Sequence, residues 1–213
     1  MRRLTSFAAV ALVAYAPLAA ALDQDAPAPV PKGAYVVDQA HTSLVFRVSH
    51  IGFSSYTGRF TKVDAKLDFD PAALETSRVN VSIDPKSIQA DNAPSGFLES
   101  LAGKGWLDAD QFPTLSFRST RVEVTGQNTF RLHGDLTLHG VTRPLTLDAT
   151  YNGGYASHPY EPRARVGFSA RGSFKRSDFG VTYGIPEAGT TMGIGDTVQV
   201  ILETEFTGPP SAK

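Results

Sequence analysis

The sequence predicts an all-β protein of about eight long antiparallel strands, arranged as a closed barrel. Apolar and polar residues alternate in eight separate runs, which gives each predicted strand one apolar and one polar face. Two of these runs, 57–69 and 163–175, exceed the usual five or six residues of a strand. Such strands hide their apolar faces in a sandwich or in a barrel, and their length favours the barrel. An eight-stranded barrel has room inside for its own side chains or for one small ligand.

The alternating runs follow one another along most of the chain. In the first run Leu44, Phe46 and Val48 share one face. In the fourth run the alternation changes phase between Phe117 and Val122, which predicts a β-bulge. The predicted strands are residues 42–49, 57–69, 79–83, 115–124, 131–138, 145–151, 163–175 and 198–206.

One segment, residues 91–108, lacks the alternation and predicts a helix. Asp91 or Ser95 would begin this helix as its N-cap, and Gly103 or Gly105 would end it. Three glycine-containing segments between the runs predict turns. These turns are residues 126–128, 139–140 and 152–154.

The composition is that of an ordinary globular domain rather than a disordered chain. Of the 213 residues 41% are hydrophobic and 19% are charged, which is enough apolar material for one substantial core. The 20 basic and 21 acidic residues nearly cancel, so the charge does not indicate nucleic acid as a partner. The absence of cysteine excludes disulfide bonds, thiolate metal ligands and a cysteine nucleophile.

The N-terminus has the pattern of an export signal. Arg2 and Arg3 precede an apolar stretch, and Ala19 and Ala21 supply the small residues of a cleavage site. We therefore predict a signal peptide over 1–21, removed on the general secretory route, which leaves no stable membrane span. An uncleaved anchor is the alternative, but the apolar stretch is short for a span. The expected location is the periplasm, or outside the cell.

The rest of the chain divides into three predicted parts. Proline-rich residues 22–33 form a linker after the signal peptide. The barrel domain is expected over 34–207. Residues 208–213 are expected to form a flexible tail.

The histidines of the first run do not fit a metal site or a catalytic site. His41 and His50 would lie about 30 Å apart on opposite faces of one strand, so they cannot share a metal ion there. Asp38, His41 and Ser43 are the residue types of a hydrolase triad, but His41 and Ser43 would stand about 6–7 Å apart on a strand. No G-x-S-x-G motif occurs. We therefore expect both histidines to form hydrogen bonds at strand ends, with no catalytic residue and no metal.

The segment GSFKRSDFG, residues 172–180, brings charged and apolar residues together. It has two interpretations: a charged turn in which Arg176 pairs with Asp178, or the mouth of a cavity that receives a polar head group. We favour the charged turn. The apolar strand faces also have two interpretations, because alternation does not distinguish a barrel filled by its own side chains from a hollow one.

Five separated stretches of the chain carry motifs that occur together, in this order, in one known family. They are YVVDQAHTSLVFRVSHIGFSSYTGRF (35–60), WLDADQFPTLSFRST (106–120), LHGDLTLHGVTRPLTLDA (132–149), ARGSFKRSDFGVTYG (170–184) and IGDTVQVILETE (194–205). The stretches resemble the YceI-like family, the lipocalin-like polyisoprenoid-binding proteins of bacteria, and the resemblance spans nearly all of 34–207. One departure is Trp106, where the family often carries Phe or Tyr, and it keeps the aromatic bulk.

The resemblance implies an extended eight-stranded antiparallel lipocalin-like barrel with a short helix near one opening. It implies a long apolar cavity that holds a polyisoprenoid lipid, such as an isoprenoid quinone, or another long-chain amphiphile. It also implies a secreted or periplasmic location. No catalytic residue is established for the family, so the resemblance assigns none, and the bound lipid is a ligand rather than a cofactor.

The expected function is therefore binding and transport, or sequestration, of a polyisoprenoid lipid without enzymatic activity. A homodimer is compatible with such a barrel, although no stripe of residues specifies one. The alternatives are an enzyme that modifies a lipid or quinone in the same barrel, and a ligand-free interaction module with a solid core. The residues expected to line the cavity are Phe46, Phe60, Phe97, Leu101, Trp106, Phe112, Phe117, Leu132, Leu138, Phe168, Phe174 and Phe179.

Overall fold

The computed structural model of the protein describes residues 29–210, which form ten β-strands and one short α-helix. The predicted signal peptide, residues 22–28 of the predicted linker and residues 211–213 lie outside the described residues. The strands are β1 (Gly33–His50), β2 (Ser54–Phe60), β3 (Val63–Phe69), β4 (Arg78–Ile83), β5 (Ile88–Gln89), β6 (Leu115–Val124), β7 (Thr129–Leu138), β8 (Val141–Tyr155), β9 (Arg163–Lys175) and β10 (Ile194–Pro210), and the helix is α1 (Phe97–Ala102).

The strands form one antiparallel sheet that closes on itself. Its order is β10-β9-β8-β7-β6-β4-β3-β1-β2-β5, and β10 also pairs with β1, so eight strands complete a barrel. The remaining two, β2 and β5, extend the sheet beside the second half of β1. The predicted fold class, an all-β closed barrel of eight antiparallel strands, is confirmed. No helix among the described residues has the length and apolar character needed to cross a membrane.

The predicted strand 57–69 is two strands rather than one, and this prediction was wrong. The sheet breaks at Thr61 and Lys62, whose backbone N–H groups donate to the carbonyl and the hydroxyl of Ser87. The alternation in the sequence continues across this break because both halves face the same interior: Phe60 and Val63 both line it. Strands β2 and β3 both pair with β1, but Thr61 and Lys62 between them bond to Ser87, just before β5, instead.

The predicted helix 91–108 is confirmed only in its middle. Helix α1 begins after Gly96, which has a φ of +77°, rather than at Asp91 or Ser95. It ends at Gly103, as predicted. Glycine can take the positive φ without strain, so the chain turns there instead of forming an N-cap with a side-chain acceptor.

The turns and bulges follow the sequence in part. His139 and Gly140 both have positive φ, 51° and 74°, and join β7 to β8 in a two-residue hairpin. The segment 126–128 lies between β6 and β7 as predicted, and the predicted bulge in β6 is confirmed by a register shift between Ser119 and Arg121. The predicted turn at 152–154 was wrong: β8 continues through it to Tyr155, with a register shift after Tyr151.

One end of the barrel is filled by aromatic side chains. Phe168 is at the centre of this far-end aromatic cluster, with ring centroids 5.4–6.2 Å from those of its neighbours. The cluster consists of Tyr35, Phe69, Phe130, Tyr151, Phe168 and Phe206. Strand β10 runs past it to Pro210, beyond the predicted end of the barrel, and Pro210 pairs with Arg163 of β9.

Candidate ligand-binding cavity

A cavity of about 630 Å³ occupies the barrel interior opposite the far-end aromatic cluster. All ten strands and helix α1 contribute side chains to its wall. His50, Ser54 and Asp91 line it and are also solvent-exposed, so the cavity opens where β1 ends and β2 begins. We call this opening the mouth. The volume lies within the range of about 300–1,000 Å³ that is typical of small-molecule sites.

A second, smaller cavity of about 100 Å³ lies deeper in the barrel, toward the far-end aromatic cluster. Phe168 and Leu132 line this second cavity and not the first. Six residues line both cavities: Val63, Val81, Phe117, Leu147, Ala170 and Leu202. The interior is therefore hollow at the mouth, narrow in the middle and filled at the far end.

Inward-facing glycines keep the wall of the main cavity thin. Gly58 lies opposite Phe46, and a Cβ at Gly58 would overlap the Phe46 ring. A Cβ at Gly134, which lies diagonally across from Phe117 on the neighbouring strand, would likewise overlap the Phe117 ring. Because the glycines leave space on the wall, the two rings lie against the backbone instead of projecting into the cavity. A barrel lined with phenylalanine is consequently able to remain hollow.

Eight of the twelve residues expected to line the cavity do so. They are Phe46, Phe60, Phe97, Leu101, Trp106, Phe117, Leu138 and Phe174. Leu132 and Phe168 lie on the second cavity instead. That any of these side chains contacts a ligand remains a prediction.

Phe112 and Phe179 line neither cavity, which corrects their expected position. The Phe112 ring packs on His139, with centroids 4.8 Å apart, and covers the hairpin at Gly140. Phe179 is only 1% exposed and packs edge-on against Phe174, which itself faces the cavity. Phe179 supports the wall from behind, whereas Phe112 covers a hairpin outside the cavity; alternation along a strand reveals neither position, because neither residue lies in a strand.

The wall also contains many aliphatic side chains that the sequence analysis did not assign to the site, most of them within predicted strands and four, Ile88, Leu107, Val181 and Ile194, outside them. Leu44 and Val48 belong to the same face of β1 as Phe46, and this shared face was the available signal. The other aliphatic residues of the wall are Val63, Val81, Ile83, Ile88, Leu107, Leu115, Leu136, Leu145, Leu147, Val181, Ile194, Val198, Val200 and Leu202.

Arg176 is a buried cation at the mouth, and it does not pair with Asp178. Its side chain is 4% exposed and donates to four backbone carbonyls, of Val181, Tyr183, Ile194 and Gly195, at 2.8–3.0 Å. These bonds join the two ends of the loop that connects the 3-10 turn at Arg176–Phe179 to strand β10. The favoured sequence interpretation, a charged turn with an Arg176–Asp178 pair, was therefore wrong.

Arg176 also contributes to the cavity wall, beside the single tryptophan of the chain. Its guanidinium lies 5.2 Å from the centre of the Trp106 ring, and that ring packs on Tyr183 with centroids 5.3 Å apart. Burial lowers the pKa of Arg176 below its ordinary value, and the charge of Asp196 offsets only part of this effect. The guanidinium nevertheless stays protonated at any pH at which a protein is folded. Arg176 therefore places a permanent positive charge at the mouth.

Tyr56 is a polar residue of the wall that sequence reasoning missed. Its ring packs edge-on against Phe97 of α1, with centroids 5.4 Å apart. Burial raises the pKa of its hydroxyl, which therefore stays protonated and able to donate at neutral pH. Tyr56 lies just before the predicted strand 57–69. The alternation of apolar and polar residues therefore did not indicate that its side chain faces the interior.

The polar cluster around His41 lies away from the cavity, on a bulge of β1. The register with β10 shifts between Asp38 and Ser43, and the Asp38 carboxylate accepts hydrogen bonds from Ala40 N–H and interacts with His41 Nδ1 at 2.9 Å. His41 therefore bonds within a bulge in the middle of a strand rather than at a strand end. His50 does stand at the end of β1, where it faces the mouth.

Asp38, His41 and Glu205 bring ligand atoms within 4.8 Å of one another, but an arginine already neutralises them. Arg165 Nη1 donates to both carboxylates, at 2.7 Å to Asp38. Burial alone would raise the pKa of Asp38, but hydrogen bonds from Arg165 and His41 outweigh it and hold the pKa at about 2. The cluster is an ion-pair network that fixes the bulge, since a guanidinium lies where a metal ion would have to bind.

These features define a class of protein: a closed antiparallel β-barrel with an internal apolar cavity and a polar mouth. Residues 35–206 match the YceI-like domain, and the chain belongs to the YceI-like family. Among curated relatives, a UPF0312 protein of Vibrio cholerae serotype O1 is 34% identical over 173 residues, which cover 80% of this chain and 85% of that protein.

Solved structures share the barrel. Burkholderia cenocepacia BcnA has a TM-score of 0.68 and 26% identity, over 79% of this chain and 98% of that one. A polyisoprenoid binding domain from Saccharophagus degradans has a TM-score of 0.58 and 13% identity, over 84% of this chain and all of that domain (100%). At that identity the second likeness concerns the fold alone.

Proposed function

We propose that the protein binds a polyisoprenoid lipid, such as an isoprenoid quinone, in the barrel cavity and carries or sequesters it in the periplasm. The observation that carries this proposal is the cavity of about 630 Å³, whose wall is apolar everywhere except at the mouth. Membership of the YceI-like family, whose resemblance implies polyisoprenoid binding, supports lipid binding as the general activity. The periplasmic location rests on the export signal read from residues 1–21.

The energetics of such a site are favourable without any charged contact. Burying one CH₂ group contributes roughly 0.8 kcal/mol, so a five-carbon prenyl unit contributes about 4 kcal/mol. Association itself costs about 4–15 kcal/mol. A ligand with about four or more prenyl units therefore binds usefully through its tail alone.

The cavity argues against the ligand-free alternative, because a module with a solid core would have no reason to keep inward glycines beneath Phe46 and Phe117. The enzymatic alternative would require polar side chains in the cavity that hydrogen-bond to each other, as a general base does with a nucleophile. Among the described residues, no hydrogen bond joins the cavity-lining side chains of His50, Ser54 and Asp91 to each other. We therefore propose binding without chemical conversion of the lipid.

Two measurements test the proposal. Protein purified from its native compartment without detergent is expected to yield a polyisoprenoid lipid by mass spectrometry. Titration with a long-chain isoprenoid quinone is expected to quench Trp106 fluorescence saturably, because Trp106 lines the cavity. Recovery without lipid, together with no quenching, would contradict the proposal.

A matched pair of variants shows whether binding occurs inside the barrel. Val200 lines the cavity, whereas Ile201, the next residue of β10, does not. Val200→Phe is expected to fill the cavity and weaken binding at least tenfold, and Ile201→Phe is expected to bind as the unmodified protein does. Equal affinities for the two variants would place the lipid elsewhere.

A further inference from the structure

Three large apolar side chains are exposed to solvent in the loops beside the mouth. They are Phe53, Tyr183 and Met192, whose exposed fractions are 81%, 63% and 66%. None of them lines either cavity, so ligand binding inside the barrel does not account for them. Single exposed apolar residues are common on proteins, whereas a contiguous group of them marks a contact surface. We call these three residues the apolar rim.

Phe53 and Met192 belong to two loops that are bonded to each other. The Ile51 N–H donates to the carbonyl of Gly193 at 2.7 Å. This bond joins the turn that carries Phe53 to the residue that follows Met192. The two exposed side chains are therefore presented by one connected piece of the surface.

Tyr183 continues this surface and connects it to the cavity. The Ile194 N–H donates to the carbonyl of Gly184, the residue after Tyr183, at 2.7 Å. The Tyr183 ring packs on Trp106, with centroids 5.3 Å apart. Ile194, Trp106 and His50 all line the cavity. The apolar rim thus borders the opening through which a ligand has to pass.

The turn that carries Phe53 has a strained backbone. Ile51 has a φ of +47°, which is an outlier for a β-branched residue. The turn closes with a 3.0 Å hydrogen bond from the Phe53 N–H to the His50 carbonyl, and a Cβ at Gly52 would overlap the Thr191 side chain. Strain of this kind is typical of functional segments that the surrounding structure holds in place. The strained turn keeps a phenylalanine at the surface, where it does not help to stabilise the fold.

The segments of the apolar rim are almost free of charge. Residues 51–58 and 181–195 contain a single charged residue, Glu187, although 19% of the whole chain is charged. Charged side chains are costly to bring into a bilayer, whereas aromatic side chains are favoured at its surface. The apolar rim therefore suits the boundary of a membrane better than a partner that is recognised by charge.

We propose that the apolar rim inserts into the surface of a lipid bilayer and brings the mouth against it, so that the ligand passes between membrane and cavity without crossing water. This inference rests on the proposed function and adds the partner from which the lipid is taken or to which it is returned. A polyisoprenoid tail is insoluble in water, and direct contact between mouth and bilayer keeps it in apolar surroundings throughout the transfer.

The first test is co-sedimentation with vesicles of phosphatidylethanolamine and phosphatidylglycerol that contain no isoprenoid lipid. Phe53→Ser and Met192→Ser are each expected to weaken vesicle binding by about tenfold, because each removes an apolar side chain from the bilayer contact. Their unfolding midpoints in the absence of vesicles are expected to match that of the unmodified protein, since both side chains are exposed.

Tyr160→Ser is the matched control. Tyr160 is 93% exposed and lies in the loop between β8 and β9, at the end of the barrel that holds the far-end aromatic cluster. That position follows from the pairing of Val166, near the start of β9, with Phe206 of the cluster. Tyr160→Ser is expected to bind vesicles as the unmodified protein does. An equal loss for Phe53→Ser and Tyr160→Ser would overturn the inference.

The second test measures how fast a long-chain isoprenoid quinone moves from vesicles to the protein. Phe53→Ser is expected to slow this transfer by about tenfold. Its equilibrium affinity for a short-chain, water-soluble isoprenoid quinone is expected to stay unchanged, because Phe53 lines neither cavity. A loss of affinity for the soluble quinone with no change in transfer rate would overturn the inference.

The outcomes separate this inference from the proposed function. If the unmodified protein does not bind vesicles, or if the rim variants bind them equally well, the inference is overturned, while quinone binding in solution still decides the proposed function. If the protein binds vesicles through the rim but takes up no isoprenoid lipid, the proposed function fails and the membrane contact stands. If Phe53→Ser leaves vesicle binding intact but abolishes self-association in sedimentation velocity, the rim is an interface between copies of this chain and the inference is overturned.

Discussion

The Arg176 guanidinium lies over the face of Trp106, 5.2 Å from the ring centre, and so joins the loop before β10 to the segment that follows α1. Trp106 in turn packs on Tyr183 of that loop. The mouth is thus framed by two irregular segments that one buried cation holds together. This arrangement makes Arg176 a residue on which both the fold and the shape of the opening depend.

Replacing Arg176 by Ala is expected to destabilise the protein by about 3 kcal/mol or more, because four backbone carbonyls lose their charged donor. Denaturant unfolding followed by circular dichroism measures the effect. Arg171→Ala is the control, since Arg171 is an exposed arginine of strand β9, which ends just before Arg176. Its unfolding midpoint is expected to stay close to that of the unmodified protein, and an equal loss in both variants would contradict the assignment.

Gly58→Ala is expected to reduce the capacity of the cavity. The added Cβ would overlap the Phe46 ring, and the ring would have to move toward the interior. Overpacking of this kind typically costs about 1–3 kcal/mol of stability, and here it also removes space for the ligand. The measurement is the affinity for a long-chain quinone together with the unfolding midpoint.

Gly105→Ala supplies the comparison for Gly58→Ala, because a Cβ at Gly105 meets nothing within 4 Å. Its ligand affinity and stability should match those of the unmodified protein. Unchanged binding by Gly58→Ala would mean that the ring can move without narrowing the site.

Affinity is expected to rise with the number of prenyl units and then to level off when the tail reaches the narrow middle of the barrel. Ala170 lines both cavities at this point. Ala170→Leu should therefore weaken the longest ligands most and leave the shortest ones nearly unaffected. A series of isoprenoid alcohols or quinones of increasing length tests this, and a uniform loss across the series would argue against a linear path into the second cavity.

Acid is expected to weaken the β1 bulge as the pH falls from about 4 toward 2. The Asp38 carboxyl has a pKa of about 2 in the folded protein, below its ordinary value of 3.8, so its contribution to stability is present above pH 4. That contribution, about 1–2 kcal/mol after allowance for partial exposure, is lost on protonation. Asp38→Asn should be less stable at pH 7 and should show a smaller decline between pH 4 and pH 2.

One outcome of measuring stability against pH would contradict this prediction. If Asp38→Asn and the unmodified protein lose stability in parallel over this window, the Asp38–Arg165 ion pair does not contribute to stability. Urea unfolding at fixed ionic strength measures both curves.

Strand positions were predictable from the sequence because burial of one face imposes a two-residue period. Strand β9 and the face of Leu44, Phe46 and Val48 follow this period directly. The break at Thr61 and Lys62 was not predictable, since the period continues across it while the pairing partner changes. Periodicity reports which face is buried, and it contains no information about which strand lies alongside.

The cavity was predictable as an apolar lining but not as a vacant space. Phe112 and Phe179 are as apolar as Phe46, yet they line neither cavity. Vacancy depends on contacts between side chains and the backbone of neighbouring strands, such as that of Phe117 with Gly134, which the alternation within one strand does not record. The burial of Arg176 was likewise not predicted: the sequence analysis considered this segment as a possible cavity mouth but favoured a charged turn, because charged residues in a short turn normally face solvent.

Closure of the barrel depends on β1 and β10, and their pairing has a consequence for how the molecule acquires its structure. Val36 pairs with Thr207, a separation of 171 residues. Because β1 is synthesised first and β10 last, the edge of β1 has to await a partner until almost the entire chain exists. Folding should accordingly be slow. An incomplete chain should expose the long unpaired edge of β1, to which chaperones can bind.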